Sequence, residues 1–259
     1  MTVPTLARAI KEKCRRDQVS VGAWVTMAHP SICEVFALAG FEWIVVDTEH
    51  SAISVSEMLQ LLIAIEQRGA MGLVRLAGID PIQAKAALDS GAAGVIVPMV
   101  NTRADAELAV AMSRYPPLGK RGVGLARAQN FGDTFDDYVR TANDDSLLIV
   151  QIEHKDGIAN IDEIVSVPGI DGTFIGPYDL SMSLGVPGQL SHPDVVRGKD
   201  KVLAATRARG LIAGIHIVHP ATARDETRQA VAQGYRFIAL GTDAQLVRQG
   251  ARTLRQAID

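Results

Sequence analysis

Glu153 and Asp179 each lie just past the end of an apolar run, Ser146-Leu-Leu-Ile-Val-Gln-Ile-Glu153 and Thr173-Phe-Ile-Gly-Pro-Tyr-Asp179. Acidic residues at the same end of successive strands point into one cleft, and two carboxylates there suit a hard divalent cation, which takes oxygen ligands. A third run, Trp43-Ile-Val-Val-Asp-Thr-Glu-His50, ends in Asp47, Glu49 and His50. His50 is a candidate general base, since a neutral imidazole suits proton transfer near neutral pH, and Asp47 is a candidate to fix its tautomer. Arg75 closes another apolar run, where its charge is costly unless it meets an anion such as an enolate or a carboxylate. Together these residues point to metal-assisted chemistry rather than metal storage. Plainer arrangements would leave the same sequence: carboxylates paired with Arg or Lys or capping helices, His50 in solvent, and Arg75 bridged to a strand-end acid.

The elements that must position these groups alternate in type. Eight short apolar runs, at 21–27, 43–48, 72–76, 94–99, 146–152, 172–176, 212–218 and 237–241, read as strands. Their near-continuous apolar character fits parallel strands covered on both faces. Amphipathic segments separate them. Ser54-Val-Ser-Glu57 predicts a capping box opening a helix over 55–68, and Asp80-Pro81 an N-cap followed by a first-turn proline. Gly40, Gly69, Gly91, Gly210 and Gly234 stand where left-handed C-caps are expected. Asp243 is expected to cap a last helix over 244–257, and Met58, Leu59, Leu62 and Ile65 form a core stripe. Eight strand–helix units predict a (β/α)8 barrel in one domain over 1–259, with an open doubly wound sheet as the alternative. The segment 3–15 is expected to close the bottom of the barrel as a helix. The Pro-, Gly- and Arg-rich stretch at about 116–140 reads as a long irregular loop. His29, His192 and His219 each precede a proline and read as residues at helix starts.

Bulk properties exclude several classes. A formal net charge of −3 over 259 residues, with 47% hydrophobic residues, gives no electrostatic case for nucleic acid or an anionic membrane. No apolar stretch is long enough to span a bilayer, and the N-terminus lacks a signal-peptide core. Cys14 and Cys33 lack C-x-x-C spacing, so free thiols in a reducing cytoplasm are expected.

With these residues in hand, the chain resembles the HpcH/HpaI aldolase family of metal-dependent class II pyruvate aldolases. The matching motifs are Val46-Asp-Thr-Glu-His50, Val74-Arg75, Val97-Pro-Met-Val100, Arg114-Tyr-Pro-Pro117, Arg121-Gly-Val-Gly124, Val150-Gln-Ile-Glu153 and Phe174-Ile-Gly-Pro-Tyr-Asp-Leu-Ser181, in family order over roughly 20–245. The resemblance implies that Glu153 and Asp179 bind the metal, with Mg²⁺ or Mn²⁺ first and Co²⁺, Ni²⁺ or Zn²⁺ as alternatives. It implies His50, supported by Asp47, in proton transfer, Arg75 against the keto oxygen, and Gln151 assisting there. The backbone of Gly176, Pro177, Tyr178 and Asp179 would hold the substrate carboxylate, with Trp24 near the pocket. Tyr178 stands where the family often has a small residue. His216 stands where an apolar residue commonly meets the aldehyde, so a hydroxylated or charged acceptor is expected. The implied reaction is reversible cleavage of a 4-hydroxy-2-oxoacid to pyruvate or hydroxypyruvate and an aldehyde. The implied assembly is a homo-hexamer that exchanges its last helix between subunits. Rival readings are a citrate-synthase-like condensation of an enolate with a 2-oxoacid, a coenzyme A ester lyase, and a non-catalytic 2-oxoacid sensor.

Overall fold

In the computed structural model of the chain, residues 3–256 are described. The elements run α1 (Val3–Arg15), β1 (Ser20–Val25), α2 (Pro30–Leu38), β2 (Trp43–Asp47), α3 (Val55–Gln67), β3 (Met71–Arg75), α4 (Pro81–Asp89), β4 (Gly94–Val97) and α5 (Arg103–Ser113). They continue with α6 (Phe135–Asp145), β5 (Leu147–Ile152), α7 (Lys155–Ala159), α8 (Ile161–Ile164), β6 (Gly172–Ile175), α9 (Pro177–Ser183), α10 (Pro193–Ala208), β7 (Ile212–Ile217), α11 (Ala223–Gln233), β8 (Phe237–Thr242) and α12 (Asp243–Arg255). The eight strands pair in parallel and in sequence order, and β8 pairs with β1, so the sheet closes. The open-sheet alternative is thereby excluded, and the (β/α)8 barrel stands.

The strands bury both faces, which is why their sequences lack polar alternation. Outward residues such as Ile44, Val46, Val95 and Ile238 meet the helices, while inward residues such as Trp43, Leu73, Phe174 and Phe237 fill the barrel. Trp43 and Phe237 stack at 3.8 Å, and a Cβ on Gly22 would lie 2.0 Å from the Trp43 ring, so the small residue on β1 makes room for the large one on β2. Ala7, Ile10 and Cys14 of α1 join the inner cluster and plug the amino end of the barrel. The capping box at Ser54 and Glu57, the Asp80 cap and the five left-handed glycines form as expected. In the α3 stripe Met58, Leu61, Leu62 and Ile65 are buried, whereas Leu59 is half-buried.

Three expectations need correction. The segment 116–140 is not one irregular loop, because a 3₁₀ turn over Arg127–Gly132 leads into α6. The fourth strand stops at Val97 rather than 99, since Met99 adopts φ +54 and turns out of the sheet. Thr242 rather than Asp243 caps α12. The Asp243 carboxylate is occupied elsewhere: it accepts hydrogen bonds from the Thr26 and Met27 backbone N–H groups and the Thr26 hydroxyl, at 2.7–3.0 Å. Among the described residues no helix is long and apolar enough to cross a membrane.

Candidate active site

Register places Asp47 beside Arg75 at the carboxyl ends of β2 and β3. Both side chains point inward and are almost fully buried. Arg75 Nε and Nη2 donate to the two Asp47 oxygens at 2.9 and 2.6 Å, a bidentate pair of the strong planar kind. Burial opposes the Arg75 charge, but the Asp47 hydrogen bonds and the charges of Asp47, Glu49 and Glu153 outweigh it and raise the guanidinium pKa. Beneath the pair lies Trp24, with Arg75 Cζ 5.4 Å from its ring centroid and His216 stacked on it at 4.7 Å. Trp24 is therefore the floor of the site and is sealed from solvent. His216 Nε2 lies 3.2 Å from the Gly241 carbonyl, which fits a neutral ring donating from Nε2. Burial, aided by Arg75, pushes its pKa down to about 4 against the opposing pull of the Gly241 bond and Asp47.

Asp47 does not meet the His50 ring. Besides Arg75, its Oδ1 accepts the backbone N–H groups of Glu49 and His50, at 3.0 and 3.4 Å, so its contact with His50 is through the backbone and not the imidazole. The carboxylate facing that ring is Glu49, whose Oε2 lies 3.9 Å from His50 Nε2 and 3.0 Å from Arg75 Nη1. Burial, with the charges of Glu153, Asp47 and Asp179, lifts the Glu49 pKa to about 7 against the pull of Arg75.

Glu153 follows β5 and is buried among polar donors. The Met99 N–H donates to Oε1 at 2.8 Å, and the Gln151 amide donates to Oε2. Met99 reaches Glu153 because its left-handed backbone turns the N–H inward, a conformation that is costly for a non-glycine residue. A Cβ on Gly176 would lie 2.5 Å from Glu153 Oε2, so the position after β6 is left bare for this carboxylate. Burial raises the Glu153 pKa and Asp179 adds to it, while Gln151, Met99 and Arg75 oppose. Pro177, Tyr178 and Asp179 form the first turn of α9, where backbone N–H groups lack helical partners. Asp179 is exposed, and no hydrogen bond or ion pair to its side chain occurs among the described residues. The Tyr178 hydroxyl lies 2.5 Å from His219 Nε2, bridging the connections after β6 and β7. His219 is thus a rim partner of Tyr178 rather than a helix cap, whereas His29 and His192 do accept the N-cap bonds of α2 and α10.

The mouth therefore gathers four carboxylates, Asp47, Glu49, Glu153 and Asp179, around one guanidinium. Among the described residues neither Glu153 nor Asp179 has an Arg or Lys ion-pair partner, which counts against the plain ion-pair explanation for both. Among the described residues no three His, Cys, Asp or Glu side chains converge as a closed metal cage. Two carboxylates beside surplus negative charge fit a divalent cation with open positions for water and substrate. Sequence reasoning had placed Glu49 at the end of its strand without a role. Its signal was the two-residue spacing from Asp47, which puts both side chains on the same side of the chain. Met99 gave no signal, because its contribution is a backbone N–H.

Comparison with known proteins agrees with this geometry. The model of the HpcH/HpaI aldolase/citrate lyase family matches residues 20–250. A hydroxypyruvate/pyruvate aldolase of Sagittula stellata is 40% identical over 248 residues, covering 95% of each chain. The 2-keto-3-deoxy-L-rhamnonate aldolase of Escherichia coli K12 is 37% identical, covering 93% of this chain and 89% of its own. A crystal structure of a family protein from Burkholderia cenocepacia superposes with a TM-score of 0.90 at 34% identity, covering 97% of this chain and 99% of its own. From the closed barrel, the carboxylate-rich mouth and these relatives, the chain belongs to the HpcH/HpaI aldolase/citrate lyase family.

Proposed function

We propose that the chain is a divalent-metal-dependent aldolase that reversibly cleaves a 4-hydroxy-2-oxoacid into pyruvate or hydroxypyruvate and an aldehyde. The observation that carries this reading is the pair Glu153 and Asp179, without ion-pair partners among the described residues, at a mouth that also holds Arg75. Bound there, a divalent cation, Mg²⁺ or Mn²⁺ before Co²⁺, Ni²⁺ or Zn²⁺, would act as a Lewis acid toward the carboxylate and keto oxygens of the 2-oxoacid. Arg75, locked by Asp47 and backed by Trp24, would stabilise the negative charge that develops on the keto oxygen as the carbon–carbon bond breaks. Gln151 holds Glu153 and would assist at the same oxygen. The backbone running from Gly176 and Pro177 into the first turn of α9 would receive the substrate carboxylate on the N–H groups of Tyr178 and Asp179, since proline has none and the Gly176 N–H bonds the Ile152 carbonyl. His50 would take the proton of the aldol hydroxyl and return it to the nascent methyl carbon.

The relatives' names support a small 2-oxoacid donor and an oxygenated aldehyde, and the polar rim of Tyr178 and His219 suits the hydroxyl groups of such an aldehyde. The exposed Val247 and Leu254 of α12 support burial of that helix against another subunit, as in a homo-hexamer, and the buried free thiols support a cytoplasmic setting. The test is deuterium exchange into the pyruvate methyl group by NMR, with Mg²⁺ or Mn²⁺ and again with chelator. Metal-dependent exchange is expected, and its absence in both conditions would overturn a pyruvate enolate. His50→Ala is expected to slow exchange about 10²–10⁴-fold with metal affinity retained; equal loss of both would remove His50 as the base.

A further inference from the structure

We infer that Glu49 is the positioning residue for the His50 imidazole, holding Nε2–H so that Nδ1 is the working base. The inference rests on the proposed function for its catalytic meaning, but not for its geometry. Three observations carry it. First, Asp47 is engaged elsewhere: Oδ1 accepts from Arg75 Nε and the backbone N–H groups of Glu49 and His50, Oδ2 accepts from Arg75 Nη2, and neither bonds the His50 ring. Second, Glu49 Oε2 has almost no exposed surface and lacks a partner of good hydrogen-bond geometry, although Arg75 Nη1 lies 3.0 Å away. A buried acceptor in that state is costly unless a donor completes it. Third, the donor at hand is His50 Nε2 at 3.9 Å, on a side chain that is 60% exposed and so free to swing inward.

The ring orientation follows. If Nε2 carries its proton toward Glu49, the lone pair of the neutral ring is on Nδ1, which faces away from that carboxylate. When Nδ1 takes a proton from the substrate hydroxyl, the ring becomes an imidazolium, and the new positive charge lies beside Glu49. That charge favours the ionised carboxylate despite the neighbouring Asp47, Glu153 and Asp179. Returning the proton to carbon restores the neutral ring with Nε2–H still held. The arrangement couples the two active groups, because the same carboxylate oxygen touches Arg75 and faces His50.

The experiment compares wild type, Glu49→Gln and Asp47→Asn, each labelled with ¹⁵N at histidine, with the His50 signals assigned by their loss in His50→Gln. In wild type the His50 ring is expected to hold its proton at Nε2. Glu49→Gln should shift it to a tautomer mixture and lower the kcat of Mn²⁺-supported pyruvate methyl exchange about 10–100-fold, with KM changed less than about threefold. Asp47→Asn should leave the ring tautomer as in wild type. A tautomer unchanged by Glu49→Gln, or one that responds to Asp47→Asn instead, overturns the inference. Thermal melts confirm that each variant is folded. If wild type exchanges no pyruvate proton, the proposed function fails, and the ring signals still decide the role of Glu49.

Discussion

The two ends of the barrel hold the same kinds of charged side chains in opposite states. At the amino end, Arg114 donates from Nε, Nη1 and Nη2 to Gly169, Asn143 and Ser146 and to the Asp171 carboxylate. Asp171 also accepts Lys11 Nζ at 2.7 Å and the Leu148 N–H at 2.8 Å. Two cations and one anion there are closed by carbonyls, and the network ties α1 to the strand starts. At the carboxyl end the carboxylates of Asp47, Glu49, Glu153 and Asp179 gather about Arg75, and among the described residues Asp179 has no hydrogen bond or ion pair. A saturated network serves architecture, because every group has what it needs. An unsaturated one has capacity for a ligand, and that difference separates a buried charge cluster that holds the fold from one that works.

The sharpest way to break this contrast is at Glu153. Glu153→Ala should lower metal-supported turnover about 10³-fold or more while the melting temperature stays close to wild type; unchanged activation by added metal would remove Glu153 from the site. Arg114→Met should do the reverse. Breaking a buried, saturated pair from one side costs about 3–5 kcal/mol, so urea unfolding should show a large stability loss. Retained stability would mean that the amino-end network is not structural.

His216 gives a smaller effect with a defined sign. Its folded pKa of about 4 lies below the ordinary value of 6.5, so below pH 6.5 the unfolded chain takes a proton that the folded chain refuses. Its contribution is complete above pH 6.5 and lost as pH falls toward 4, about 3 kcal/mol at most. His216→Phe, which keeps a ring against Trp24, should flatten that part of the stability–pH curve, and an unchanged slope would show that His216 titrates normally. The smallest effect belongs to the rim. Tyr178→Phe removes one hydrogen bond of about 1 kcal/mol, so KM for a hydroxylated aldehyde should rise about fivefold while that for an unsubstituted one stays level. A uniform change would make Tyr178 a wall rather than a reader of hydroxyl groups.

How far sequence carried this picture depended on what each residue contributes. The strands were legible because burial on both faces leaves apolar runs that nothing else in the chain resembles. The glycine C-caps and the Ser54 and Asp80 caps were legible because their chemistry is local. Helix α6 lay inside the stretch read as loop, although Phe135, Tyr138, Val139 and Ala142 keep the i, i+3, i+4, i+7 spacing of a helix; the Pro, Gly and Arg residues just before it masked that signal. Polar contacts also hold it: Arg121 to the Tyr138 hydroxyl, Asn143 to the Tyr115 N–H, and Arg114 to the Asn143 carbonyl. In the site, strand ends placed the candidate residues at one mouth but did not reveal their pairings. Asp47 looked like the partner of His50, three residues away, until cross-strand register delivered Arg75 to it. The role of Asp243 was likewise invisible, because Thr26 is 217 positions distant.

That last contact bears on how the protein is made. Asp243 is synthesised 217 residues after Thr26, yet it grips the turn after β1. Until β8 and Asp243 emerge, β1 and β7 each present an unpaired edge, the kind of surface that recruits foreign strands. The barrel thus carries its clasp on the last helix. A nascent chain stalled before residue 237 would hold every side chain proposed for the site and still lack both the strand that closes the sheet and the carboxylate that clasps it.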